Sequence, residues 1–372
     1  MHGRKVILPV LTGLFIATSA FCQTEVLKSV VNNLAFYKQK NDLKYLANAK
    51  RSVDSLIKTH ADSVDVGKNV YRAVVNSSIL YIDSLNKLHQ PDAFFSQTSE
   101  LVDKLSANHK IYKYQVEIDY SKHCLANVYI RKAFAYMNNS DFINALQLFQ
   151  KAKNYAPAFA PVNAYIAYSN YKLGNLHTAA KYYTLLVTND STKVEYVEAA
   201  SNIYKSLGDT VTALEILKKG RRLLPGDKSL LLDEANIYNN KKDYKSLSTL
   251  LNGLLDINTN NADIAFVAAN CYDHLNQYDK AESLYLRAIE LNGSAFDPVF
   301  NLGLLYFKQS EIKGEKSDSP NIARAAQWLE KANEISPANT KCLQMLQVIY
   351  AQTGNINQIN KVNNKLKELT NQ

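Results

Sequence analysis

The stretch ANVYIRKAFAYMNNSDFINALQLFQKAKNYAP (Ala126–Pro157) decides how this chain is read. Within it Ala133 stands three residues before Tyr136, Ala145 nine after, and Phe149 four further on, with Ala152 and Pro157 closing the series. The same columns return every 34 residues. Tyr204, Tyr238, Tyr272 and Tyr306 lie on the lattice of Tyr136, and the skipped node is Asn170, beside Tyr171. The small column before each node reads Ala133, Ala167, Ser201, Ala235, Ala269, Gly303. The one after it reads Ala145, Ala179, Ala213, Leu247, Ala281, and the large column Phe149, Tyr183, Leu217, Leu251, Tyr285. Pro157 and Pro225 end two of the periods. A fixed period of this length is the mark of a repeat architecture.

Beyond Tyr306 the register slips by ten: Ala325, Leu329, Ala332, Pro337 and Tyr350 sit 44 beyond Ala281, Tyr285, Ala288, Gly293 and Tyr306. An insertion at about 311–320 (EIKGEKSDSP), charged and turn-prone, accounts for the slip and reads as an exposed loop between two helices. The columns have the physics of a helical hairpin. Small residues on facing helices let two backbones approach, while Tyr, Phe and Leu fill the space toward the next hairpin. Gly174-Asn175, Gly208-Asp209, Asn276-Gln277 and Gly354-Asn355 mark the turns inside the hairpins. One hairpin cannot bury its apolar face alone, so the units must stack.

This pattern resembles the tetratricopeptide repeat (TPR) family over residues 126–372, as six units and a final, capping helix pair starting near Thr340. The resemblance implies an all-α fold, a right-handed α-solenoid of antiparallel helical hairpins, and a protein-binding scaffold. The unit Lys228–Asn261 departs most, with Leu247, Leu251 and Leu254 in the small and aromatic columns; in the last pair Ile359 and Asn363 suit a solvent-facing cap. In this family the first helix of each hairpin lines the concave surface, where an extended peptide or a partner's helix binds. The positions so implied are Phe134, Tyr165, Tyr168 and Tyr171 in the first two units. The next three supply Glu195, Glu198, Asn202, Asp233, Asn236, Asp263, Asn270 and Asp273, and the sixth Phe300 and Asn301. Asn202, Asn236 and Asn270 stand 34 apart, a ladder of amides able to satisfy the N–H and C=O groups of an extended chain. Asn at this place is also a framework residue of the repeat, so the ladder has two readings. The family's clamp for acidic C-termini uses Lys, Arg and Asn on these faces; Glu, Asp and aromatics here argue against chaperone-tail binding.

Ahead of the repeats, residues 25–38, 42–58, 66–88 and 92–107 each carry a helical apolar period, with breaks near Lys40-Asn41, His60 to Asp65 and Gln90-Pro91. A long periodic stretch from about Tyr112 runs into the first clear repeat. Residues 23–125 are read as degenerate hairpins continuing the array, with a separate helical module as the alternative.

The N-terminus bears on compartment. Arg4 and Lys5 precede an uncharged apolar run from Val6 to Ala20, and small Ala20 and Cys22 precede Gln23: the layout of a secretory signal peptide cleaved near Cys22/Gln23. Pro9, Thr12, Gly13 and the short run argue against a spanning anchor. Cys22 also raises a lipoprotein, but bulky Phe21 departs from that motif. The expectation is an export leader at 1–22 and a chain of the periplasm or outer membrane, within the bacterial cell envelope.

Across 372 residues, 47% hydrophobic and 21% charged content excludes wholesale disorder. Only 12 Gly argues against sandwich, propeller and doubly wound folds. The formal charge of +9 falls to +7 without Arg4 and Lys5. Cys124, Cys271 and Cys342, odd in number and far apart, read as small buried hydrophobes. No phosphate-cradling, nucleophile-elbow or zinc-protease motif occurs, and the histidines are scattered, so neither catalytic residue nor cofactor nor metal site is assigned. Lys218, Lys219, Arg221 and Arg222 close a helix, where they complement its dipole; peripheral contact with an anionic envelope surface is the sharper reading. Nucleic acid is a poor partner for an exported chain. Two function classes remain: a non-enzymatic protein-interaction scaffold binding extended peptides of envelope or secreted proteins, and a carbohydrate-binding accessory protein. The second would want more than the single Trp328, which stands beside Leu329 in a second helix.

Overall fold

The computed structural model describes residues 25–187, 193–313 and 319–370. The expected leader at 1–22, its cleavage site and residues 314–318 of the expected insertion lie outside the described residues. The chain forms two compact units, 1–209 and 210–372, and the described residues of each are helices joined by turns. No described helix is long and apolar enough to cross a membrane.

Unit 1 opens with a hairpin of α1 (Glu25–Lys40) and α2 (Leu43–Asp54), followed by the short α3 (His60–Val64) and by α4 (Val66–Ile82). Next come α5 (Phe94–Ser106), a 3₁₀ turn at His109–Tyr114 and the long α6 (Gln115–Asn138), then α7 (Phe142–Tyr155), α8 (Pro161–Lys172), α9 (Leu176–Leu186) and α10 (Val194–Ser206). Two of the periodic stretches end earlier than their sequence suggests, for local reasons. The second stops at Asp54, with Ser55 at its C-cap, and the third at Ile82, because the Asp83 carboxylate accepts from the Lys87 and Leu88 amides and turns the chain. The break at His60 to Asp65 is itself one helical turn, nucleated by a capping box in which Thr59 and Asp62 satisfy each other's backbone amides.

Residue 125 lies inside α6, and Leu125 shares a core with Val70, Val102, Phe149 and Ile166. The N-terminal helices and the first repeats of unit 1 are therefore built on common packing. Helix α4 is the hinge of that arrangement: Val70 and Ala73 join the core of α6 and α7, while Val74, Val75 and Ile79 join that of α1 and α2.

Unit 2 holds α11 (Thr210–Leu223), α12 (Lys228–Asn240), α13 (Tyr244–Ser248), α14 (Leu251–Ile257), α15 (Ala262–His274), α16 (Tyr278–Leu291), α17 (Phe296–Lys313), α18 (Pro320–Ile335), α19 (Thr340–Gln352) and α20 (Ile356–Thr370). One core runs from Ala235 to Val362. The divergent unit keeps its packing, since Leu247 and Leu251 are fully buried, but its second helix is broken between α13 and α14. There Ser248 and Thr249 hydroxyls bond back to the carbonyls of Lys245 and Ser246, competing with the helical ladder. The expected loop at 311–320 is narrower than its composition suggests: Glu311 and Ile312 continue α17, and Ser319 caps α18 with Pro320 at its first position. Helix α20 buries only Val362 fully, as a cap should.

The period is written into the backbone as well as the side chains. Ser140, Gly174, Gly208, Lys242 and Asn276 stand 34 apart and all adopt the left-handed conformation, with φ from 56° to 80°; Gly354 follows 78 later, at 69°. At each, the next residue's amide reaches back five residues to the lattice carbonyl. Asp141 bonds Tyr136, Asn175 bonds Asn170, Asp209 bonds Tyr204, Asp243 bonds Tyr238, Gln277 bonds Tyr272 and Asn355 bonds Tyr350, at 2.9–3.0 Å. This is the Schellman closure of a helix C-terminus, made at each of these six turns. The small columns are buried throughout, as close helix approach demands.

Candidate functional site

The first helix of each pair buries one stripe and leaves another partly exposed. In α15 the buried stripe is Ala265, Ala268, Ala269, Cys271 and Tyr272. The complementary stripe, at helical spacing, is Asp263, Phe266, Asn270 and Asp273-His274. In α17 the residues 34 further on are Asp297, Phe300, Leu304 and Phe307-Lys308; in α12 the corresponding ones are Ser229, Leu232, Asn236 and Asn239-Asn240. The face of unit 2 therefore carries a half-buried apolar row, Leu232–Phe266–Phe300, with Asp263 and Asp297 on one side and Asn236, Asn270 and Leu304 on the other.

Neighbouring first helices are tied across this face. Lys308 Nζ on α17 pairs with Asp273 Oδ1 on α15 at 3.1 Å and lies 5.0 Å from the Tyr278 ring. Gln352 on α19 donates to Glu311 on α17 at 3.3 Å. His274 stacks on Tyr244, with centroids 4.1 Å apart. Asp273 and Asn301 also flank the hydroxyl of the fully buried Tyr285, whose phenol is pushed well above its usual range by burial and by the Asp273 carboxylate. Asp273 and Asn301 thus serve the internal packing of unit 2 at least as much as its surface.

In unit 1 the expected inner positions divide. Phe134 is a correction: it is 8% exposed, edge-on to Phe149 at 5.6 Å and to Tyr165 at 4.8 Å, and belongs to the core. Tyr165 is half-buried and stacked flat on Phe149. Tyr168 packs edge-on to Phe142 beneath Lys172, while Tyr171 is 48% exposed. Glu195 and Asn202 are exposed on α10, and Glu198 is half-buried. In unit 2, Asn236 and Asp263 are exposed, whereas Asp233, Asn270 and Phe300 are half-buried. The amide ladder is thus divided between the units, Asn202 in one and Asn236 and Asn270 in the other. Sequence reasoning passed over Phe266, Leu232 and Phe307. The signal was available, since Phe266 lies one period before Phe300.

The basic cluster is partly engaged. Arg221 binds Glu234, whose side chain is 4% exposed, and Lys218 lies 5.6 Å from the Tyr238 ring, leaving Lys219 and Arg222 facing solvent. Cys124, Cys271 and Cys342 are free and buried, and burial pushes the Cys271 and Cys342 thiols up to about 11. Trp328 is half-buried against the core of unit 2.

Against known proteins, residues 262–294, which are α15, α16 and the turn after them, match the family model of the tetratricopeptide repeat. The chain carries a tetratricopeptide repeat. Its repeats make it a scaffold for protein–protein interaction. The chain is 22% identical over 278 residues to the CTR9 homolog of Arabidopsis thaliana, covering 72% of this chain and 24% of that protein, so it spans about a quarter of that relative's length. Among solved structures it is similar to YrrB, described as a TPR protein with an unusual peptide-binding site (20% identity, TM-score 0.43, 53% of this chain and 96% of that one). It is also similar to MamA (20% identity, TM-score 0.41, 45% and 87%). A third is a tetratricopeptide repeat protein of Parabacteroides merdae (16% identity, TM-score 0.38, 66% and 93%).

Proposed function

We propose that this TPR protein is a non-enzymatic scaffold of the bacterial cell envelope that captures an extended segment of a partner protein on the first-helix face of unit 2. The observation that carries this reading is the repetition of Asp, Phe and a third row on α15 and α17. Packed helices lie roughly 8–10 Å apart. An extended chain advances about 3.1–3.4 Å per residue, so side chains three apart match successive rows. Phe266 and Phe300 would seat apolar anchors at that spacing. Asp263 and Asp297 favour Lys or Arg beside them, and the amides of Asn236 and Asn270 would meet the peptide backbone. Export rests on the leader expected at 1–22, and Lys219 with Arg222 are the cations left for any contact with an anionic envelope surface.

The test is a peptide array probed with the purified protein, followed by titration of the selected peptides. Peptides with apolar residues three apart and adjacent cations should be enriched, and F266A/F300A should abolish their capture. The double variant N236A/N270A should weaken it. Capture indifferent to F266A/F300A would remove this face from the account, and fractionation of cells expressing the full chain checks the compartment.

A further inference from the structure

Helices α5, α6 and α7 of unit 1 wall a cavity of about 360 Å³, at the lower end of the range for small-molecule sites. Its back is a stacked pair of rings, Tyr129 and Tyr155, with centroids 5.5 Å apart and planes at 16°. Along it runs a chain of hydroxyls. Tyr155 donates to Asp103 Oδ1 at 2.6 Å, and Ser99 Oγ lies 2.9 Å from the Tyr155 oxygen and 2.8 Å from that of Tyr129. An ionised carboxylate only accepts, which fixes the direction of the whole series. Tyr129 donates to Ser99, Ser99 to Tyr155 and Tyr155 to Asp103. Each of the three hydroxyl hydrogens is consumed within the wall.

Outside this series the lining offers a ligand the side chains of Lys122, from α6, and of Lys151 and Asn154, from α7. Lys151 Nζ is 5.7 Å from the Tyr129 ring, and neither lysine is ion-paired with a carboxylate of the described residues. Along the sequence, residues 122–187 hold seven Lys and Arg and one acid, Asp141, while α5 and the start of α6 carry Glu100, Asp103, Glu117 and Asp119. Asp103, held at the end of the hydroxyl series, would repel a second negative group and orient a ligand with its anionic end toward the lysines.

We infer that this cavity binds a small oxyanion, the carboxylate or phosphate of a ligand no larger than a phosphorylated monosaccharide. The site is separate from the peptide-binding face of unit 2, so either can fail without the other. The test is calorimetric titration of the full chain with inorganic phosphate and with glucuronate, against chloride of matched ionic strength. At least one should bind above the chloride control, and which one does so names the ligand's anionic group. Each lysine makes a charge-assisted contact, so K122Q/K151Q should weaken binding by about tenfold or more. K132Q, a cation of α6 outside the cavity wall, should leave it unchanged. The inference is overturned if neither anion binds beyond chloride, if the double variant binds as the wild type does, or if K132Q loses as much as the double variant.

Discussion

Two glycines in unit 2 offer the same substitution with opposite expected signs. A Cβ at Gly303, in α17, would lie 2.8 Å from Leu329 Cγ, 3.1 Å from its Cδ2 and 3.3 Å from its backbone nitrogen. Leu329 is fully buried in α18, so a branch carbon and a main-chain atom would have to give way together. At Gly253, in α14, the new methyl would meet only Leu231 Cδ2, at 3.2 Å, the movable end of a half-buried side chain. Ala is favoured over Gly inside a helix by about 1 kcal/mol at both positions. Overpacking a closed contact costs about 1–3 kcal/mol, so G303A should be less stable by about 1 kcal/mol. G253A should be more stable by about 0.5–1 kcal/mol, since only a small shift of Leu231 offsets the gain. The assay is urea unfolding followed by fluorescence of Trp328, the only tryptophan of the chain and the immediate neighbour of Leu329. The expected result is midpoints displaced in opposite directions at unchanged slope. If G303A raises the midpoint as G253A does, close approach of the paired helices is not what the small column provides.

Two further outcomes follow from features of unit 2. Lys242 adopts φ 56° at a turn where the neighbouring periods use Gly or Asn, so K242G should stabilise unit 2 by about 1 kcal/mol on the Trp328 signal, and no gain would mean that the turn is unstrained. Arg221 compensates the buried Glu234, so R221M should lose about 3 kcal/mol and R221M/E234L should recover most of it. Equal losses in the single and double variants would show that packing, and not the stranded carboxylate, sets the cost.

The architecture was legible because its cause is local and repeated. Ala281, Tyr285 and Ala288 are buried where the columns place them, and Gly174, Gly208, Asn276 and Gly354 turn the chain where their conformational freedom is needed. What sequence could not supply was whether an outward position stays outward. Phe134 sits on the expected stripe, yet Phe149 and Tyr165 close over it. Asp273 reads as a groove acid, yet Lys308 neutralises it from the next repeat. The hydroxyl series of Ser99, Tyr129 and Tyr155 joins residues 30 and 56 positions apart and leaves no periodic trace. Likewise Ser248 and Thr249 break a second helix that the Leu columns alone would keep continuous.

The turn closures have a mechanical side. Each is made within six consecutive residues, and in a stacked array each hairpin leans only on its immediate neighbours. Under tension such a molecule yields in instalments, one pair of helices peeling away while the next still holds. Each instalment would release roughly 120 Å of extended chain for a 34-residue period. A chain of this kind can lengthen and recoil in steps.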